Sequence, residues 1–286
     1  MKFGIMFANV GPYVQPDTAV AFGRMAEAHG IESLWTVEHV VVPGDYQSEY
    51  PYSPTGRMPG PEESPIPDPL IWLAWVGAAT TTLRLATGIL ILPQRNPVVL
   101  AKELSTLDVL SSGRVELGVG VGWLREEFDA LGVPFENRGA RTDEYIDALR
   151  CLWREEEPCF EGRYARFDRA KSYPKPHQGT IPIHVGGHTR AAARRAGRLG
   201  DGFFPGRATD EHLAQLLDEM RAGAKDAGRD PDAIEVTAGG VMDLDGVRRF
   251  ADHGVDRVVL PPLGFDLDTL REQLGRFSEN VIEKIG

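Results

Sequence analysis

The chain has 286 residues, a length that suits either two average domains or one large α/β barrel. Its 31 Lys and Arg against 42 Asp and Glu leave a formal charge of −11, which repels phosphate backbones and anionic membrane surfaces and argues against a nucleic-acid partner. The longest nearly pure apolar run, Leu70 to Ala79, is about half of the roughly 20 residues a spanning helix needs. The opening Met1-Lys2-Phe3-Gly4-Ile5 lacks the sections of a signal peptide, so a cytoplasmic protein with no membrane segment is expected. Cys151 and Cys159 make no C-x-x-C pair and have no His-rich setting, so neither a disulfide framework nor a metal site is expected.

In chain order, Phe3 to Ala8 reads as a doubly buried strand of the kind parallel sheets require. Asp17 can cap a helix with Ala19, Phe22, Ala26 and His29 on one face and Gly30 as its stop. The unit then repeats. Further strands are Ser33 to Glu38, Arg84 to Leu92, Val115 to Gly120, Ile181 to Val185, Asp201 to Pro205, Ile234 to Thr237 and Asp256 to Leu260. Helices run from Asp68 to Thr82, Val98 to Leu110 and Arg141 to Trp153, and others begin near Thr189, Asp210, Leu244 and Leu267. Eight strands alternating with eight helices predict one (βα)8 barrel, a TIM barrel, as a single domain over residues 1–286. Two insertions interrupt it, after strand 2 (about 40–67) and before strand 5 (about 155–180). The first carries seven prolines and would form a lid or pocket wall at the C-terminal face, and the second contains a hairpin-like stretch from Cys159 to Phe167.

Strand C-terminal ends build the pocket of such a barrel. Glu38-His39 ends the second strand, where an imidazole could transfer a proton with the adjacent carboxylate as hydrogen-bonding partner, or simply form a surface pair. Gly186-Gly187-His188-Thr189 precedes a helix, where backbone N–H groups and a hydroxyl could face a phosphate, or the glycines could serve chain reversal alone. Gly118-Val119-Gly120-Val121-Gly122 fails the G-x-G-x-x-G spacing, because Trp123 and Arg125 stand where a third glycine is needed. Gly120 and Gly122 would let a flat ring approach the backbone, with Trp123 as an aromatic wall; tight strand-helix packing is the other reading. Tyr46, Tyr50 and Tyr52 are further candidates for a substrate wall. Glu126-Glu127 and Arg194-Arg195 read as solvated helix faces.

Together, Leu34 to His39, Thr87 to Pro93 with Asn96-Pro97, Leu107-Asp108, Gly113-Arg114, Gly118 to Trp123, Pro182 to Gly187 and Asp201-Gly202 resemble, in order, the bacterial luciferase-like superfamily. Within it the chain looks like the oxidoreductases that use the deazaflavin coenzyme F420. The resemblance implies a ring at the C-terminal mouth, hydride exchange at the deazaflavin C5, and His39 near the reacting centre with Glu38 positioning it or the ring. It also implies a non-prolyl cis peptide at Gly88-Ile89 backing the ring, and phosphate contacts from Gly186, Gly187, His188 and Thr189. Two positions depart from relatives. Trp123 stands where the sugar-phosphate dehydrogenases place a catalytic glutamate, and Val121 where the luciferases place an arginine on the flavin phosphate. The expectation is therefore an F420-dependent oxidoreductase acting on a small molecule, as a homodimer. The alternatives are an FMN monooxygenase served by a flavin reductase, or a deazaflavin-binding protein without catalysis.

Overall fold

The computed structural model describes residues 1–206 and 210–285. Eight parallel staves close into a barrel: β1 (Lys2–Met6), β2 (Ser33–Thr36), the split stave β3 (Arg84–Thr87) and β4 (Leu90–Ile91), then β5 (Val115–Gly120). A two-stranded antiparallel hairpin, β6 (Phe160–Glu161) with β7 (Arg166–Phe167), lies outside it. The remaining staves are β8 (Ile183–Gly186), β9 (Gly202–Phe204), β10 (Glu235–Gly239) and β11 (Arg257–Leu260), and β11 pairs with β1 to complete the ring. The helices are α1 (Pro16–Ala28), α2 (Pro69–Gly77), α3 (Pro97–Leu110), α4 (Arg125–Ala130), α5 (Arg138–Arg154), α6 (Arg190–Leu199), α7 (Asp210–Asp226), α8 (Leu244–Asp252), α9 (Leu267–Phe277) and α10 (Glu283–Ile285). The predicted (βα)8 alternation and the hairpin are both present. No described helix is long and apolar enough to cross a membrane.

Three elements differ from the sequence reading, each for a local reason. The helix expected to reach Thr82 ends at Gly77, because the Glu27 carboxylate on α1 accepts the N–H groups of Thr81 (2.8 Å), Thr82 and Leu83 (3.0 Å) outside a helix. Burial pushes the Glu27 carboxyl up, but these donors outweigh it and hold it down at about 2. The third stave breaks at Gly88–Ile89, whose peptide bond is cis, as the resemblance implied. Finally, β2 stops at Thr36, where the buried Asn9 amide replaces the ladder: it accepts from Val37 N at 2.8 Å and donates to Val37 O and Pro67 O, both at 2.9 Å. Asn9 thus ties the ends of the first two staves to the return of the first insertion.

The main apolar layer fills the space between staves and helices. A smaller cluster of Trp35, Ala86, Phe204 and Val259, with Met6 and Ile89 against it, fills the barrel axis. Below it the floor is polar. Arg257, fully buried, pairs with Glu32 (3.0 Å), Glu116 (3.1 Å) and Glu235 (2.5 Å), and His184 Nε2 lies 3.2 Å from Glu116. Burial alone would raise the Glu116 carboxyl, yet His184, Arg257 and Arg84 hold it well below the usual carboxylate range. Glu116, Glu235 and His184 come within reach of one another, but the guanidinium of Arg257 already lies against both carboxylates.

Candidate functional site

The C-terminal ends of β2, β4, β5 and β8 gather the predicted site residues at one mouth. Directly after β2, His39 turns its Nδ1 toward Glu127 Oε2 at 3.0 Å. Glu127 is fully buried on α4, and its other oxygen accepts Val40 N at 2.6 Å. Because the carboxylate takes the Nδ1 hydrogen, Nε2 is left to exchange a proton. The partner of the imidazole is therefore Glu127, and the expected role of the adjacent Glu38 is corrected. Glu38 accepts Ile91 N at 2.5 Å and Arg95 Nε at 2.8 Å, and Arg95 continues to Asp68 at 2.7 Å. Burial raises the Glu38 carboxyl, opposed by Arg95 and the Ile91 N–H. Glu38 anchors the start of β4, just beyond the cis peptide.

Glu126 and Glu127 are also corrected as a pair, since neither is a free solvated carboxylate. Glu126 receives Gln47 N (2.7 Å), Ser48 N (3.1 Å) and Ser48 Oγ (2.7 Å), and these bonds hold the first insertion over the mouth. Those donors overcome its partial burial and keep it down at about 2. Arg194 and Arg195 differ from expectation in the same way. Arg195 reaches Asp143 and Gly139 O on α5, and Arg194 pairs with Glu219 on α7 at 3.2 Å.

The glycines serve mainly to accommodate other side chains. A Cβ on Gly120 or Gly186 would lie 2.5 Å or 2.6 Å from Ile89, and one on Gly122 would lie 2.8 Å from Ile91 and Phe128. The space that a ring was expected to reach beside Gly120 is thus filled by Ile89, which becomes the apolar floor of the mouth. A Cβ on Gly88 would sit 3.1 Å from Trp35.

At α6, Gly187 N is spent on Phe204 O (3.1 Å), and the Thr189 hydroxyl caps the helix by accepting Ala192 N at 3.2 Å. With Ala192 N taken by this cap and Ala193 N by Thr189 O, the N–H groups of Arg190 and Ala191 are the ones left without an intrahelical partner at the start of α6. Among the described residues, His188 Nδ1 is buried without a hydrogen-bond partner, and so, after β4, are both amide atoms of Gln94. Burial, then His212, lowers the His188 imidazole. Glu127 is the candidate-site residue that sequence reasoning missed, having read it as part of a solvated face.

Among the expected wall residues, Trp123 stands edge-on to His39 at 5.7 Å and to Tyr50 at 5.2 Å, and Tyr52 meets His188 at 4.8 Å. Tyr46 is corrected: it is only 3% exposed, its hydroxyl accepts Met58 N at 3.0 Å, and its ring supports Trp123 from behind. A groove of about 620 Å³ runs between α6 and α7 from Arg190 at the head of α6, and its Arg190 and Arg194 are paired with Glu219.

Comparisons with known proteins agree with this architecture. An uncharacterised protein of Mycobacterium tuberculosis (strain ATCC 25618 / H37Rv) is 34% identical over 275 residues, covering 93% of this chain and 95% of the relative. An F420-dependent glucose-6-phosphate dehydrogenase of Kineococcus radiotolerans is 33% identical over 228 residues, which are 78% of this chain and 62% of that relative. The crystal structure of monooxygenase RslO1 from Streptomyces bottropensis superposes with a TM-score of 0.76 at 25% identity, covering 100% of both chains. The sequence profile of the luciferase-like monooxygenases matches residues 1–244, and the chain belongs to that family.

Proposed function

We propose that the protein is a coenzyme F420-dependent oxidoreductase exchanging a hydride with a small organic molecule at the C-terminal mouth, in the cytoplasm and as a homodimer. The observation that carries the reading is the His39–Glu127 pair standing at the same mouth as the first turn of α6. Its fit to the cofactor rests on the unpartnered His188 and Gln94 atoms and on the apolar surface of Ile89. When bound, the deazaflavin supplies hydride chemistry at C5. The first turn of α6 and His188 would hold its phosphate, and Ile89 would offer its ring an apolar surface. Glu127 keeps the imidazole in one tautomer, and His39 Nε2 gives or takes the proton that accompanies hydride transfer. Glu38 and Arg95 fix the backbone beneath.

The relative named as F420-dependent supports this choice, as does Val121 where an arginine would meet a flavin phosphate. The likeness to a monooxygenase structure favours a second reading, FMN with a partner reductase. Titrating the purified protein with each cofactor separates them: deazaflavin binding is expected, and micromolar FMN binding without deazaflavin binding overturns the proposal.

A further inference from the structure

A ribbon of rings joins the two ends of the mouth. From His39 it passes through Trp123, Tyr50 and Tyr52 to His188, with successive centroids 5.7, 5.2, 5.5 and 4.8 Å apart and every contact tilted edge to face. Beside His39, Val40 and Val41 remain 48% and 42% exposed even though Glu127 pins their backbone N–H groups. Apolar surface held open to water next to a proton-transferring imidazole is surface that an apolar ligand covers favourably.

The charges around this ribbon oppose an anionic substrate. Arg57 donates to Tyr46 O at 2.5 Å and lies on the Tyr46 ring, Arg95 is engaged by Glu38 and Asp68, and Arg125 meets Glu136 at 2.6 Å. Glu126 and Glu127 add negative charge directly below the ribbon. A phosphate ester bound here would have to break the Arg95 or Arg125 pair or draw Arg57 off the Tyr46 carbonyl and ring, and it would approach Glu126 and Glu127.

We infer that the substrate is a planar, uncharged carbonyl compound carrying a conjugated ring, held against Trp123, Tyr50 and Tyr52 with its polar end toward His39, and not a sugar phosphate. The inference rests on the hydride-transfer reading of the same site. In the reducing direction, the conjugated double bond of the substrate gains a hydride from the reduced deazaflavin, which is thereby oxidised. The single proton that completes the reduction comes from His39 Nε2, which water then reprotonates.

The test uses the F420-loaded protein with coumarin and glucose 6-phosphate as probes, read by calorimetric titration and by recovery of the deazaflavin absorbance. Coumarin is expected to bind and be reduced, and glucose 6-phosphate to give neither heat nor turnover. Trp123→Ala should weaken coumarin binding by about tenfold and Trp123→Phe by less, with the F420 Kd of both unchanged. Glucose 6-phosphate turnover, no coumarin binding, or Trp123→Ala leaving coumarin affinity within about twofold would each overturn the inference. Absence of F420 binding to the unmodified protein would instead bring down the reading on which it rests, and the inference with it.

Discussion

The barrel carries a histidine–glutamate pair at each end, and the two pairs differ in what surrounds them. At the floor, His184 and Glu116 are enclosed with Arg257, Arg84, Glu32 and Glu235, so charge meets charge on all sides. At the mouth, His39 and Glu127 have backbone N–H groups on one side and aromatic rings on the other, and Nε2 stays open. The same two residue types are sealed among charges at one end and, at the other, leave one imidazole nitrogen without a partner among the described residues, as the proposed proton transfer requires.

Substitutions should separate these roles. Arg257→Met leaves Glu32, Glu116 and Glu235 without their central cation; it should destabilise the fold by about 3–5 kcal/mol, measured by denaturant unfolding. An unchanged midpoint would mean that the floor is not a brace. His39→Ala should do the reverse, reducing turnover by about 10²–10⁴ while the melting temperature stays near that of the parent. Glu127→Gln keeps an acceptor for Val40 N but cannot take the Nδ1 hydrogen, so a loss of about tenfold, with Glu127→Asp restoring part of it, marks the carboxylate as a positioning group.

Acid should weaken the Glu27 clamp. The Glu27 carboxyl is held at about 2 in the folded chain, below its ordinary value of 4.5. Its contribution is therefore complete above about 4.5 and is lost as pH falls toward 2. Melting temperatures recorded across that window should decline more steeply for the parent than for Glu27→Gln, and parallel curves would remove Glu27 as a cause. The smallest effect is expected from Thr189→Ala, which deletes one helix cap at about 1 kcal/mol; thermal melts with and without inorganic phosphate would reveal any additional part in anion binding.

The staves were legible because strands buried on both faces must be continuously apolar, as Leu117 and Val119, or Val258 to Leu260, illustrate. The same uniformity concealed the break in the third stave, since Leu85 to Leu92 reads as one run across Gly88–Ile89. His39 was legible from its place at a strand end, but its partner was not, because Glu126-Glu127 resembles any charged surface pair. A signal did exist: Leu124, Glu127 and Phe128 fall on one helical face at spacings of three and four, and the two apolar members take Glu127 inside with them. Glycine positions were visible without their purpose. Only coordinates distinguish a Cα cleared for a ring from one cleared for Ile89.

The two neighbouring carboxylates of α4 grip the first insertion at separate points, Glu127 at Val40 and Val41, and Glu126 at Gln47 and Ser48. Apart from the Ser48 hydroxyl on Glu126, these grips are on backbone N–H groups, which any residue but proline supplies. The segment beyond Ser48, up to the Pro67 carbonyl held by Asn9, therefore behaves as an exchangeable cassette. On the proposed reading, substitutions there that spare the Arg57 and Met58 bonds to Tyr46 would leave the imidazole and its carboxylate aligned, which makes this loop the place to randomise when redirecting the barrel.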